Sequence, residues 1–187
     1  EGVPVIRGKN LADGLVDEEF VFLTPGKAEE LSTSRAEVED IVFTHRGTLG
    51  QVGRIFPGSA HPKYIASQSQ LVLSVDRERT SPLFIYSFFR SVSGQNAWLS
   101  NAGGAGVPAI ASPSSSLKAI EFLDPGMAIA NAFDHIARLL EARTVAAVRE
   151  SRTLTETREY LLPRLMSGKV RVTEIDASDQ QARASGW

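Results

Sequence analysis

The residue types that carry most enzyme chemistry are present in this chain of 187 residues, but not at spacings that such chemistry uses. Three histidines, His45, His61 and His135, share no metal-ligand spacing and read as surface or satisfied polar side chains. There is no cysteine, which removes disulfides and thiolate zinc sites and fits a reducing cytoplasm. Ser112-Pro113-Ser114-Ser115-Ser116 has no histidine near it in sequence to suggest a nucleophile and its base. No phosphate-binding G-x-x-x-x-G-K occurs. Gly103-Gly104-Ala105-Gly106 lacks the third glycine of a dinucleotide loop and has no strand-to-helix context, so it reads as a flexible loop. No Glu is followed two positions later by Lys, as the common metal-dependent nuclease core needs. No Asn-Pro-Pro or Asp-Pro-Pro run marks an amino-methyltransferase.

Charge is the more informative signal. The net charge of −2 conceals an uneven layout. Over residues 13–40, nine acids face only Lys27 and Arg35; over 41–120, seven basic residues face only Asp76 and Glu78. The basic residues are Arg46, Arg54, Lys63, Arg77, Arg79, Arg90 and Lys118. A polyanionic partner favours such a surplus, because each Lys or Arg that meets a phosphate releases counterions. An acid-poor segment rich in buried strands gives the same count, and composition alone does not separate the two. A hydrophobic fraction of 42% is that of a globular protein, and no apolar run approaches the length of a membrane span.

The elements that must position these residues fall into two groups. Val3-Pro4-Val5-Ile6 reads as a strand leading to a polar turn with Arg7, Lys9 and Asn10. Residues 28–35 read as a short helix. Asp40-Ile41-Val42-Phe43-Thr44, the turn Arg46-Gly47-Thr48-Leu49-Gly50 and the return Gln51-Val52-Gly53-Arg54-Ile55 read as a hairpin. Tyr64-Ile65-Ala66 and residues 70–75 add strands. Residues 82–92 read as a buried helix or strand, with helix favoured by a run of about ten residues without Gly. Residues 101–108 read as a flexible loop, and Ile110, Leu117, Ile120 and Phe122 as the last strands. Tyr64 and Trp98 read as core or rim. The chain then changes character. Asp124 is an N-cap candidate with Pro125 at the first helical position, and residues 127–162 contain neither Gly nor Pro. Ile129, Phe133, Ile136, Leu140, Ala147, Leu154 and Leu161 fall on one 4-3-4-3 line, with Arg143, Glu150 and Thr157 in its gaps. That is a coiled-coil seam with polar interruptions, and it needs a partner helix. Arg138, Arg149, Arg152 and Arg158, offset by Glu141, Glu156 and Glu159, read as a solvated face. Pro163 should bend or end the helix.

The fold class expected is therefore α+β: a mixed, strand-rich domain over 1–124, a long C-terminal coiled-coil-forming helix over 125–168, and a tail over 169–187. With no Met and no signal pattern at its start, the sequence reads as a piece of a longer protein.

Several local patterns coincide in order: Gly2-Val3-Pro4-Val5-Ile6-Arg7-Gly8-Lys9-Asn10-Leu11; Asp40-Ile41-Val42-Phe43-Thr44-His45-Arg46-Gly47-Thr48-Leu49-Gly50; Ile65-Ala66-Ser67-Gln68-Ser69; Gly106-Val107-Pro108-Ala109-Ile110; and Leu161-Leu162-Pro163-Arg164-Leu165-Met166-Ser167-Gly168-Lys169-Val170. As an ordered set over nearly the whole chain they resemble the specificity (S) subunit of type I restriction-modification enzymes. That resemblance implies a non-catalytic subunit whose target recognition domain reads one half of a bipartite DNA site. It also implies a long spacer helix that docks the methyltransferase subunits. S-adenosylmethionine, ATP and Mg are then expected on the modification and restriction subunits, with no cofactor on this chain. The family usually carries two recognition domains and two helices, where this sequence has one of each, and the segment before the Gly-Val-Pro strand is missing. The second recognition half is then expected either in the same polypeptide or in a homodimer partner.

In a DNA-reading domain Arg makes bidentate contacts to guanine, Asn or Gln to adenine, and Lys mostly holds phosphate. Under the resemblance Arg46, Gln68 and Gln70 are the base-reading candidates. Arg7, Lys9, Arg54 and Lys63 are the phosphate candidates. Phe133, Ile136, Leu140, Leu154 and Leu161 are the helix-pairing residues. The competing reading is a helix-mediated oligomerisation module that binds protein and not DNA.

Overall fold

The computed structural model describes residues 2–11, 14, 19–104 and 106–169. Ala105, the acids Asp13, Asp17 and Glu18, and the tail from Val170 onward lie outside the described residues. Nine strands and five α-helices are described: β1 (Val3–Ile6), β2 (Val21–Leu23), α1 (Pro25–Glu30), β3 (Arg35–Glu37), β4 (Ile41–Thr44), β5 (Val52–Arg54), β6 (Lys63–Ala66), β7 (Gln70–Leu73), α2 (Pro82–Arg90), α3 (Val92–Leu99), β8 (Ala102–Gly103), β9 (Ala109–Ile110), α4 (Pro113–Lys118) and α5 (Met127–Met166). The α+β class and the long C-terminal helix are as expected. Among the described residues, no helix is long and apolar enough to cross a membrane.

Strand β4 is the centre of the domain, and all four of its residues are buried. It pairs antiparallel with β5 on one side and β7 on the other. Alternation along a strand sends successive side chains to opposite faces. Ile41 and Phe43 therefore enter one core with Val52, Ile85, Phe89, Trp98 and Ile110, while Val42 enters a second with Ile6, Leu11, Ala36, Ile55 and Tyr64. In the first core the Phe43 ring stands 4.8 Å from Phe89 and 5.1 Å from Trp98 between centroids. Such aromatic pairs contribute about 0.5–1.5 kcal/mol each beyond their area. A four-stranded sheet ordered β2-β1-β6-β3 packs on the second core; β1 and β6 run parallel and the other pairs antiparallel.

Where local readings differ from the structure, a specific contact explains it. Helix α1 starts at Pro25, not Ala28, because the Thr24 hydroxyl accepts from Lys27 N and caps it. Arg35, placed in that helix from sequence, begins β3. The last strands expected around Leu117, Ile120 and Phe122 are absent. Pro113 starts a helix there that includes Leu117, and only Ala109–Ile110 forms a strand. Asp124 does not cap the long helix. Its carboxylate accepts from Gly126 N at 2.9 Å, Gly126 takes a φ of 74°, and α5 begins one residue later. At the other end α5 continues through Pro163 to Met166.

The described chain divides into two compact units, Glu1–Arg138 and Leu139–Trp187. The first unit reaches past Asp124 because the opening turns of α5 belong to it. Ala130 is buried, and the ring of Phe133 meets that of Phe84 edge-on at 5.7 Å. Phe133 thus packs inside its own domain, which corrects its assignment to the pairing seam. Along the same helix Ile136, Leu140 and Leu154 are each more than 60% exposed, and Leu161 is partly so. A coiled coil is not formed by the described residues of this chain alone. Arg152–Glu156 and Arg158–Glu159 pair across exposed positions, as the solvated-face reading expects.

Candidate nucleic-acid interface

Parallel pairing brings the ends of β1 and β6 together, since Ile6 lies beside Ala66 and Ser67 N donates to Ile6 O at 3.0 Å. Beyond Ile6 the chain enters Arg7 and a 3-10 turn, Gly8–Leu11, closed by Arg7 N donating to Asn10 Oδ1 at 2.9 Å. Beyond Ala66 it turns over Ser67–Gln70, with Gln70 N donating to Ser67 O at 2.9 Å. Gln70 opens β7 beside Thr44, the last residue of β4, and His45 N donates to Ser69 O at 3.0 Å. The segment after β4 is then gripped from the other side. Ile110 N donates to His45 O, and Gly47 N to Pro108 O, each at 2.9 Å. Four connections therefore meet at one end of the domain: the β1 exit, the β4–β5 hairpin, the β6–β7 turn and the loop before β9.

This rim collects most of the residues picked from sequence. Arg46, Gln68 and Lys9 are exposed on it, and Arg7 is half-buried with its Nε enclosed and without a hydrogen-bond partner. Gly47 takes a φ of 95° and Gly50 a φ of 85°. The hairpin tip is therefore glycine-bent on both sides of Thr48 and Leu49. Lys9 forms an exposed ion pair with Glu19 at 2.9 Å. The lysine's hydrogen bond and charge hold the Glu19 carboxyl below its usual pKa. Exposed pairs of this kind contribute little and exchange readily for another anion.

Three assignments are corrected. Arg54 is wholly buried and forms an ion pair with Glu39, so it presents no charge to a phosphate. Gln70 is only 8% exposed. Its amide nitrogen donates to Thr44 Oγ1 at 3.4 Å, and its oxygen accepts from Ser67 Oγ. Thr44 Oγ1 in turn donates to Gln51 Oε1 at 3.1 Å. Gln70 is thus a brace beneath the rim that ties the β6–β7 turn to the hairpin, and not a reader. Lys63 is exposed but opens β6, opposite Glu37, at the far end of that strand from the rim.

Sequence reasoning missed Thr44 and Gln51, whose only signal is that they flank the hairpin turn where two strands must face each other. It also missed Glu39, Asp134 and Ser81. Arg138, taken as solvated, has a visible i, i+4 partner in Asp134, but nothing local points to its second bond with Glu39. The basic surplus over 41–120 resolves into both explanations. β4, β5 and nearly all of β6 are buried, which keeps acids out, while Arg46 remains outside. No protein-family model matches this chain, and no curated protein matches it.

Proposed function

We propose that this chain is a non-catalytic, sequence-specific DNA-recognition subunit of the type I restriction-modification kind. It reads one half of a bipartite double-stranded site. The observation that supports this most is the gathering of Arg7, Lys9, Arg46 and Gln68 on one rim, where a cationic and amide surface stands on loops joined by main-chain hydrogen bonds. In this reading Arg46 takes guanine through O6 and N7, Gln68 reads adenine, and Arg7 and Lys9 hold phosphates. The helix α5 serves as spacer and docking rod. Its 40 residues rise about 1.5 Å each, on the order of 60 Å, or more than one and a half turns of DNA. Methyl transfer from S-adenosylmethionine and ATP- and Mg-dependent restriction belong to partner subunits, in the cytoplasm. The second recognition half comes from the same polypeptide or from a second copy.

Selection from a randomised duplex library, followed by binding at several salt concentrations, tests the proposal. The expected result is a defined half-site, with the logarithm of affinity falling by roughly 0.9 per decade of salt for each neutralised phosphate. Arg46→Ala should cost about 1–3 kcal/mol and relax one position of that site. The rival module, in which α5 only mediates oligomerisation, predicts no retardation of any duplex at low salt. That result would end the DNA reading.

A further inference from the structure

Four side chains from distant parts of the chain connect, two directly and two through Arg138, to one buried carboxylate. Glu39 stands between β3 and β4, where its φ of 81° puts a non-glycine residue in the left-handed region. Its main chain is pinned by Glu39 N donating to Ile55 O at 2.7 Å. Glu39 is 7% exposed, and its two carboxylate oxygens take different partners. Oε2 accepts from Arg54 Nη1 in β5, and Oε1 accepts from Arg138 Nη1 in α5 at 2.9 Å. Arg138 Nε donates to Asp134 Oδ2 at 2.6 Å, and Asp134 Oδ1 accepts from Ser81 Oγ. That hydroxyl also caps α2 by accepting from Phe84 N at 3.1 Å. Burial alone lowers the Arg138 pKa, but the bonds to Asp134 and Glu39 outweigh it and leave it above the usual arginine value.

Adhesion does not require this arrangement. Ala130 and Phe133 already bury the root of α5, and a buried ion network is commonly no more stabilising than apolar residues of the same volume. Apolar contact is non-directional, whereas a planar guanidinium shared between two carboxylates fixes rotation and register. A slip of one helical turn would displace α5 by about 5.4 Å and break the two bonds that cross to the domain, Arg138–Glu39 and Ser81–Asp134. We infer that the Glu39–Arg54–Arg138–Asp134–Ser81 network is a positioning device that fixes the rotation and register of the opening turns of α5, Met127 to Arg138, against the β3–β4 turn, β5 and the start of α2, all within one compact unit. This inference does not rest on the DNA reading above.

The absence of native cysteine allows spin labels at two introduced positions, Ser93→Cys on α3 and Ala132→Cys on α5, both exposed. Pulsed electron–electron resonance on the otherwise unaltered chain should give one narrow distance. In the apolar variant E39M/R54M/R138M, shown to be folded by circular dichroism, the distance should broaden or split. Asp134→Asn, which leaves Glu39 and Arg54 paired, should broaden it less. A narrow, unshifted distance in the folded apolar variant overturns the inference.

Discussion

Arg46 and Arg54 belong to one hairpin and meet opposite fates, the first exposed at its tip and the second enclosed beside Glu39. Residue type and local context do not separate them, because the carboxylate that captures Arg54 comes from a different turn. Gln68 and Gln70 differ in the same way: alternation across a tight turn leaves one outside and ties the other to Thr44 and Ser67. Gly94 shows the same dependence on distant contacts. It lies in α3, where Ala normally stabilises a helix by about 1 kcal/mol over Gly. A Cβ there, however, would stand 2.1 Å from Phe88 O and 2.7 Å from Phe89 Cα, both backbone atoms. Gly94→Ala should therefore destabilise the domain by several kcal/mol as α2 and α3 are forced apart, measured by urea denaturation. A stability gain would show that the α2–α3 junction can shift at no cost. Residue types and spacing thus made the rim candidates legible as a group. Which of them face outward depended on long-range pairing that one sequence does not display.

Elements were more legible than residues where a single signal dominated. β1, β4, β5 and α2 follow from β-branched runs, glycine turns and an aromatic stretch without glycine. Val92–Leu99 was missed as a helix because its composition, VSGQNAWL, is polar and glycine-containing; its start is set by the Ser91 hydroxyl accepting from Gly94 N. The helix expected to residue 168 ends at Met166, and of the two expectations for Pro163 it is the ending of the helix there that fails. Pro163 lacks the N–H that would bond Glu159 O, but it sits in the final turn, and Ser167 N donates to Pro163 O at 3.1 Å. The helix is thereby closed beyond the proline. Pro163→Ala should restore the missing bond and slow amide hydrogen exchange over residues 160–167 several-fold. Unchanged exchange there would mean that the last turn is limited by fraying and not by the proline.

At the scale of the molecule the exposed stripe of Ile136, Leu140 and Leu154 matters most. If these side chains pair with a second copy, folding is linked to association. The thermal midpoint should then rise with protein concentration, a hundredfold increase adding up to about 2.7 kcal/mol of apparent stability. A midpoint independent of concentration would assign the stripe to a partner other than this chain. The rim has a different consequence, which follows from how it is held. His45, Gly47, Ser69, Pro108 and Ile110 join its loops through main-chain atoms alone, and the Gln70 brace lies beneath. None of these bonds involves the side chain of Arg46 or Gln68, so exchanging either leaves the frame standing. A surface built this way separates what is recognised from what keeps the protein folded. It can drift through new preferences by single substitutions, each tried without the risk of collapse.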